Sequence, residues 1–423
     1  MKIRKLQLKN IGVFDDETIE FQHCPAKDKA EIHIFTGENG TGKTTLLTVL
    51  ASTFDGRANE ENLLFELKKR VNKLYKGSWK IDFNNEIVFE QKLSDPFEST
   101  TFGSSKIDKL SNYQRLNSYN SGSDLLNFAV FAYSGNRIVK NEDIEFFRPY
   151  RENPLKDSLN FVKDYTTYSI NQWIAHNLSS RAIEKEKQNI EKANRFAKNI
   201  QNFQEVIEKI IDYKIEFVLD TGNKSLLVKL HNEEIGFDVL PSGLQSLISW
   251  VGDLLMRLDN LKWADDLPVF EKNLILFLDE IEVHLHPAWQ RKVLPVVQKL
   301  FKNSQIFVST HSPFVVNSID DAWVYKLKLE NGKAKVADIV RSEDGISYQT
   351  VLSEIFGIDE EFGGKTQEDL DKFYEIVRNG KKIKEKELLE LAKSLAVQSE
   401  ELNSIVQIEL RQLSRRKGQE FSL

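Results

Sequence analysis

The sequence predicts an α/β fold with a mixed sheet, and three patterns support this prediction. Strand-like apolar segments alternate with helical segments around a glycine-rich turn, which is typical of a partly parallel sheet. Pairs of short β-rich segments flank tight turns, and these hairpins predict an antiparallel β-lobe beside the sheet. Long charged stretches with helical spacing predict a helical insertion and a helical C-terminal extension.

Each predicted strand is short, rich in β-forming residues and bounded by turn residues. In chain order, the strands are the stretch opened by Ile3, Leu6 and Leu8, then residues 17–21, 31–35, 79–83 with 87–89, 126–133, 213–219 with 226–230, 273–278, 305–309 and 323–329 with 335–339. The helices cover residues 46–54, one or two segments within 171–211, 244–258, 288–301 and the chain after about 347. Residues 94–123, rich in Ser, Asn and Thr, predict a long loop.

Composition excludes several classes of protein. The 423 residues carry 58 Lys and Arg against 64 Asp and Glu, and the net charge of −6 argues against a surface that coats nucleic acid throughout. The single cysteine, Cys24, excludes an intramolecular disulfide and a cysteine-based zinc site. The chain opens without an apolar signal-peptide core, and it contains no apolar run of the ~20 residues that span a bilayer. We therefore expect a cytoplasmic protein without a membrane partner.

Residues 37–45 match the phosphate-binding pattern G-x-x-x-x-G-K-[ST], between an apolar strand and an amphipathic helix. Glycines let backbone N–H groups turn toward phosphate oxygens, and the helix adds its positive N-terminal end. Lys43 would bridge the β- and γ-phosphates, and the hydroxyl of Thr44 would bind Mg²⁺. The alternative is a turn that merely ends a strand. The residues assigned to phosphate binding are Gly37, Asn39, Gly40, Gly42, Lys43, Thr44 and Thr45.

The apolar strand at residues 274–278 delivers two acids, Asp279 and Glu280, at its carboxyl end. Ligands of parallel α/β sheets bind at this end of the strands. Asp279 is placed to hold Mg²⁺ through water, and Glu280 is placed to orient and polarise the attacking water. Alone, an Asp-Glu pair would more simply cap a helix; beside a phosphate loop, the pair indicates nucleotide hydrolysis.

Two further motifs add a candidate sensor and a second phosphate contact. His311 follows the buried strand at residues 305–309, where it would sense a γ-phosphate oxygen; the alternative is a structural histidine. Ser242 and Gly243 open an amphipathic helix, whose N-terminus would bind a phosphate held by a second protomer. The structural alternative for Ser242 is the N-cap of that helix. His284 and His286 suggest a pair of metal ligands. Because Pro287 suits the first position of a helix, we favour the alternative that His286 lies at the helix cap and is structural.

In the order phosphate loop, signature, acidic strand and histidine, these motifs resemble the ATP-binding-cassette (ABC) ATPases. The signature departs from LSGGQ at Pro241 and Leu244, which is similar to the SMC, RecF and OLD branch. Residues 10–14, 132–137 and 278–287 also resemble OLD-like ATPases of bacterial defence, most of all the PtuA-type ATPases of Septu and retron systems. The resemblance implies an ABC-ATPase head over residues 1–345, with a helical insertion at about 145–212.

The resemblance also implies cofactors and partners. ATP and Mg²⁺ would bind between two heads, so a head-to-head dimer or higher oligomer is expected. OLD nucleases carry a Toprim domain after the histidine, but no cluster of acids at strand ends follows His311 here. A nuclease subunit, of the HNH type by resemblance, would therefore be a separate chain. Residues 346–423 would form a helical region for partner binding or oligomerisation.

Three functions remain open from the sequence. The first is an ATPase subunit of an antiphage complex, which regulates an associated nuclease through ATP-dependent head pairing. The second is a RecF-like repair or recombination ATPase that binds DNA directly, and the net charge of −6 weighs mildly against it. The third is a module that holds ATP as a structural ligand, which Glu280 disfavours. A transporter ATPase is the least favoured class because of the altered signature.

Overall fold

The computed structural model describes most of the chain. The chain forms two compact units, residues 1–351 and residues 352–423. The described residues are 1–24, 28–55, 63–70, 77–84, 88–93, 99–100, 128–135, 153–161, 168–220, 222, 225–261, 267–343, 345–379 and 385–421. Several predicted features lie outside them: most of the loop at 94–123, residues 136–137 of the segment 132–137, and residues 145–152 of the insertion. Residues 99–100, within the predicted loop, form a short strand.

The larger unit is built on three sheets. Its strands are β1 (Ile3–Ile11), β2 (Phe14–Glu20), β3 (Glu31–Gly37), β4 (Gly77–Phe83), β5 (Val88–Leu93), β6 (Ser99–Thr100), β7 (Ala129–Tyr133), β8 (Leu159–Asn160), β9 (Ile215–Asp220), β10 (Ser225–Leu230), β11 (Glu233–Gly236), β12 (Leu274–Leu278), β13 (Ser304–Ser309), β14 (Ala322–Glu330) and β15 (Lys333–Ser342). The predicted hairpins are confirmed as β4–β5, β9–β10 and β14–β15.

The central sheet has seven strands in the order β15-β14-β3-β13-β12-β7-β8. All neighbouring pairs are parallel except β14 with β15. Strands β12 and β13 are buried at every position, which explains the uninterrupted apolar sequence of β12 and the apolar centre of β13. The mixed α/β fold predicted from the sequence is therefore confirmed.

Two antiparallel sheets accompany the central one. The first has the order β2-β1-β4-β5-β6, and the second the order β11-β10-β9. In β1 the apolar residues Ile3, Leu6, Leu8 and Ile11 are buried while the residues between them are more exposed, as expected for a strand covered on one face. The antiparallel lobe is thus confirmed, and β11 is an additional strand that the sequence analysis did not predict.

The helices of the larger unit flank the sheets. They are α1 (Lys43–Ser52), α2 (Leu63–Arg70), α3 (Tyr168–Glu186), α4 (Ile190–Ile211), α5 (Ser242–Asp259), α6 (Pro287–Leu300) and α7 (Pro313–Asn317), followed by the short helical segment Tyr348–Thr350. Trp173 of α3 stacks near Phe203 of α4 and donates a hydrogen bond of 3.0 Å to Asp259 of α5. The helical insertion is therefore anchored on α5, the helix that begins at the predicted signature.

A buried charge network joins the N-terminal strand to the central sheet. Glu31 at the start of β3 is 1% exposed and accepts hydrogen bonds from Arg4 at 2.6 Å and from His33 at 3.1 Å. Burial alone would raise the pKa of Glu31, but the hydrogen bonds from His33 and Arg4 outweigh it and hold the pKa well below its usual range. Gln305 of β13 donates to Glu31 and accepts from the backbone N–H of Ile3.

The described residues of the smaller unit, 352–423, include most of the short helical segment Val351–Phe356 and the helices α8 (Gly364–Asn379), α9 (Glu385–Ala396) and α10 (Glu400–Lys417). Apolar side chains from all three form one core, which includes Phe373, Leu388 and Val406. Ser399 caps α10 by accepting from the backbone N–H of Leu402. Among the described residues of both units, no helix combines the length and apolar character needed to cross a bilayer.

We predict that Glu31→Gln lowers the free energy of unfolding by about 1–3 kcal/mol at neutral pH, because it removes the charge that Arg4 and His33 contact. Urea denaturation measures this. Glu20→Gln is the matched control, since Glu20 pairs with Lys5 on the surface of the antiparallel lobe, and its loss should cost less than about 0.5 kcal/mol. Because the pKa of Glu31 is lowered in the folded chain, its carboxylate stabilises the fold only while it is ionised. The difference in the free energy of unfolding between wild type and Glu31→Gln should therefore shrink as the pH falls below about 4.3. Equal losses in the two variants would contradict the prediction.

Candidate active site

Four parallel strands end side by side at one edge of the central sheet. Leu278 at the end of β12 is paired with Val308 of β13 and with Tyr133 of β7, and Ser309 is paired with Phe35 of β3. The residues that follow these strand ends are therefore brought together although they are far apart in sequence. The sequence analysis expected ligands to bind at this edge.

The phosphate loop follows β3 and requires glycine at two points. Gly37 has φ +146°, and a Cβ atom there would lie 2.3 Å from the carbonyl oxygen of Leu327. Gly42 has φ +90°, and a Cβ atom there would lie 2.6 Å from the ring of Phe14. Any other residue at these positions would be strained and would collide with its neighbours. The β1–β2 turn thus packs directly against the loop, whose Asn39 and Gly40 are exposed.

Lys43, the first residue of α1, folds back over the loop. Its Nζ donates to the carbonyl oxygens of Gly37 and Glu38, each at 2.9 Å. Burial lowers the pKa of Lys43, while the charges of Asp279 and Glu280 oppose that shift. The ammonium group therefore lies inside the loop, within reach of the acids of β12.

Thr44 and Asp279, which the sequence analysis assigned to Mg²⁺, lie side by side and are hydrogen-bonded to each other. The Thr44 hydroxyl lies 2.9 Å from Oδ2 and 3.1 Å from Oδ1 of Asp279, which is 6% exposed. The Ser309 hydroxyl also donates a short hydrogen bond to Asp279. One carboxylate thus connects the ends of β12 and β13 with the start of α1. The cluster of hydroxyl and carboxylate oxygens suits a hard cation such as Mg²⁺.

Glu280 is held by its neighbours on both sides. Its backbone has φ +46°, and its N–H donates to the Ser309 hydroxyl at 2.9 Å. The Glu280 carboxylate lies against Gly135, which follows the end of β7. A Cβ atom on residue 135 would be only 2.7 Å from Oε2 of Glu280. The sequence analysis did not assign Gly135 to the site, and only its position in the segment 132–137 pointed to it.

His311 lies in the loop after β13, beside a residue that the sequence analysis missed. Its backbone N–H donates to Oε1 of Glu282 at 2.6 Å, and the Thr310 hydroxyl donates to Oε2 at 2.8 Å. Burial, followed by the charge of Lys43, lowers the pKa of His311, so its imidazole is neutral at pH 7. The only sequence signal for Glu282 is a third acid two residues after Glu280.

The signature helix α5 begins at Ser242, with Pro241 in the capping position. The interpretation of Ser242 as the N-cap is therefore wrong, since Pro241 already has extended backbone and occupies that place. The Ser242 side chain is instead exposed. Gly243 packs against the turn after β12, where a Cβ atom would lie 2.5 Å from the carbonyl oxygen of His284. The structure thus places the signature beside that turn.

The two histidines of that turn have separate roles. The Nδ1 atom of His286 accepts from the backbone N–H of Ala288 at 3.2 Å, and Pro287 is the first residue of α6. His286 therefore caps α6, as the sequence analysis favoured over a metal pair. Within the described ranges, no group of three His, Cys, Asp or Glu side chains is arranged to hold a metal ion.

A buried ion pair within the signature helix is hydrogen-bonded to a tyrosine of β7. Asp253 of α5 accepts from the hydroxyl of Tyr133 at 2.9 Å and from Nε of Arg257 at 2.6 Å. Arg257 also donates to the carbonyl oxygens of Pro154 and Lys156. Since Tyr133 ends the strand that leads to Gly135, a hydrogen-bonded path runs from α5 to the neighbourhood of Glu280.

Comparison with known proteins gives one family match and several relatives. The family model described as "AAA domain, putative AbiEii toxin, Type IV TA system" matches residues 32–317. The Septu protein PtuA of Bacillus thuringiensis is 23% identical over 379 residues, which cover 85% of each chain. The Retron Vc95 probable ATPase of Vibrio cholerae serotype O1 biovar El Tor is 23% identical over 453 residues, covering 89% of this chain and 87% of that protein.

Solved structures with a similar chain path include an Smc head bound to the C-winged helix domain of ScpA. It has a TM-score of 0.47 and 16% sequence identity, and the match covers 82% of this chain and 99% of that chain. The likeness to PtuA-type and retron ATPases predicted from the motifs is confirmed by the two relatives above.

We predict that Lys43→Ala weakens ATP binding by at least ~10²-fold, because a charge-assisted contact to phosphate is lost from a buried site. Titration with a fluorescent ATP analogue measures the affinity. Lys302→Ala is the control, since the sequence places Lys302 outside the four motifs. An unchanged affinity of the Lys43→Ala variant would show that the loop does not hold the phosphates.

Proposed function

The chain belongs to the family described as "AAA domain, putative AbiEii toxin, Type IV TA system", and from this premise we propose that it is the ATP-binding and ATP-hydrolysing subunit of a bacterial antiphage defence complex. In this proposal, ATP-dependent pairing of two heads regulates an associated nuclease. The main support for ATP hydrolysis is the hydrogen bond between Thr44 and Asp279, which lies beside Lys43 and Glu280. The defence role is supported by similarity to the Septu protein PtuA and the retron ATPase.

In this proposal, each residue at the sheet edge has its own role in ATP hydrolysis. The loop from Gly37 to Thr45 binds the phosphates, and Lys43 exchanges its two carbonyl contacts for phosphate oxygens. Thr44 and Asp279 would hold Mg²⁺, which supplies positive charge beside the phosphates when it is bound. Glu280 orients the attacking water and accepts its proton.

His311 and the signature complete the proposed site. The imidazole of His311 can donate a hydrogen bond to a γ-phosphate oxygen. Ser242 and Gly243, at the N-terminus of α5, would bind the γ-phosphate held by a second head. The exposure of Ser242 supports this, since a buried side chain could not reach a partner. Head pairing then makes hydrolysis depend on two copies of the chain.

The nuclease in this proposal is a separate subunit, of the HNH type by resemblance. We place its docking, or that of a neighbouring protomer, on residues 346–423. Within that part of the chain, Val397 is 87% exposed, Ile408 54% and Ile358 44%. Exposed large apolar side chains on a small helical unit favour a contact surface over a purely solvated one.

We predict that Glu280→Gln binds ATP but hydrolyses it at least ~10²-fold more slowly, the usual scale for loss of general-base help. The amide keeps the shape of the side chain beside Gly135 but does not accept the proton from water. Phosphate release under saturating Mg²⁺-ATP measures the rate. Turnover at the wild-type rate would contradict the proposed mechanism.

Head pairing gives a separate prediction. With ATP, the Glu280→Gln protein should have at least twice the 48.9 kDa mass of one chain, because the bound nucleotide is not consumed. Adding Ser242→Arg should leave ATP binding intact but block pairing, since the long cation would occupy the phosphate-facing surface. Light scattering measures the mass. A strict monomer of the Glu280→Gln protein with ATP would refute head pairing.

A further inference from the structure

The carboxylate of Glu282 bridges two consecutive residues of the histidine loop. One oxygen accepts from the backbone N–H of His311 at 2.6 Å, and the other accepts from the hydroxyl of Thr310 at 2.8 Å. The Thr310 hydroxyl also accepts from the backbone N–H of Ser312 at 3.0 Å. Glu282, in the turn after β12, therefore holds Thr310 and His311 directly and Ser312 indirectly, through the Thr310 hydroxyl.

A second side chain ties the same two segments together. Gln290 of α6 donates to the carbonyl oxygen of Leu285 at 2.8 Å and accepts a short hydrogen bond from the Ser312 hydroxyl. Leu285 belongs to the turn after β12, and Ser312 follows His311 directly. The turn and the histidine loop are thus joined at two points, which restrict rotation as well as translation of the loop.

The same turn also reaches the signature. The carbonyl oxygen of His284 lies in such close contact with Gly243 that a Cβ atom there would be 2.5 Å away. A displacement of the start of α5 must therefore move the turn that carries Glu282. Contacts in the described residues thus connect the exposed signature, the turn and His311 in series.

We propose that Glu282 is a positioning residue, which holds His311 in the geometry needed to contact the γ-phosphate and transmits the position of the signature to it. This inference rests on the proposed ATPase function and extends it by a named residue. Its physical basis is geometric: two donors 2.6 and 2.8 Å from one carboxylate fix the loop backbone, and misplacing a catalytic group by about 1 Å costs up to ~10²-fold in rate.

Two matched pairs of variants of the full chain test the inference. Glu282→Ala removes both acceptors, and kcat for ATP hydrolysis should fall between about 10- and 100-fold while KM stays within about twofold. Glu282→Gln should restore most of kcat. Its amide oxygen can accept from the His311 N–H, and its NH₂ group can donate to the Thr310 oxygen. A hydrogen-bonding role predicts this rescue, whereas a role that requires negative charge does not.

The second pair tests the same contact from the other side. Thr310→Val removes the hydroxyl and should lower kcat. Thr310→Ser keeps the hydroxyl and should have the kcat of the wild type. Glu234→Ala is the control, because Glu234 is exposed on β11 and outside the site. Thermal unfolding and ATP affinity are measured for every variant. If Glu282→Ala does not fold, the Thr310 pair decides the question.

Each outcome separates this inference from the proposed function. The inference is overturned if folded Glu282→Ala or Thr310→Val keeps the wild-type kcat, if the loss appears in KM instead, or if Glu282→Gln is as slow as Glu282→Ala. A wild-type chain that binds ATP but does not hydrolyse it would refute the proposed function itself. Wild-type turnover with slow Ala and active Gln variants at position 282 supports both.

Discussion

The hydrogen bonds that converge on the Asp279 carboxylate are the constraint on which the site depends. Thr44 donates to it from the start of α1, and Ser309 donates to it from the end of β13. Because Asp279 is buried, its oxygens require such partners. The contact therefore fixes where the phosphate loop lies relative to the acidic strand, and with it the distance from Lys43 to Glu280. Ser309 contributes twice, since its oxygen also accepts from the Glu280 N–H.

The opposite end of the same strands is secured by a different interaction. Glu31 at the start of β3 is buried and contacts Arg4 of the antiparallel lobe, while Gln305 at the start of β13 binds the backbone of Ile3. A buried charge is costly unless it is paired, so this end of the sheet tolerates little rearrangement. The lobe is thereby held to the central sheet. Its β1–β2 turn is in turn held against the phosphate loop, where Phe14 contacts Gly42.

The signature helix reaches the site by two routes. Asp253 of α5 binds the hydroxyl of Tyr133, which ends the strand leading to Gly135 and Glu280. Gly243 contacts His284 in the turn after β12. The same turn carries Glu282, which accepts a hydrogen bond from His311. Both Glu280 and His311 are therefore connected by contacts to the surface proposed to meet a second head. These contacts are the route by which the proposed head pairing would affect the proposed hydrolysis.

The sequence by itself determined the fold class, the phosphate loop, the acids of β12 and the position of His311. These features are local, because glycine spacing, strand ends and hairpin turns are encoded in neighbouring residues. The tertiary structure decided the contacts between distant residues. It set Gly135 against Glu280, paired Glu282 with His311 and buried Glu31 beside Arg4. It also put Pro241, not Ser242, in the cap position, since only the backbone path decides which of two adjacent residues begins a helix. The side-chain contacts among these join residues at least 27 positions apart in the chain, and no local pattern records them.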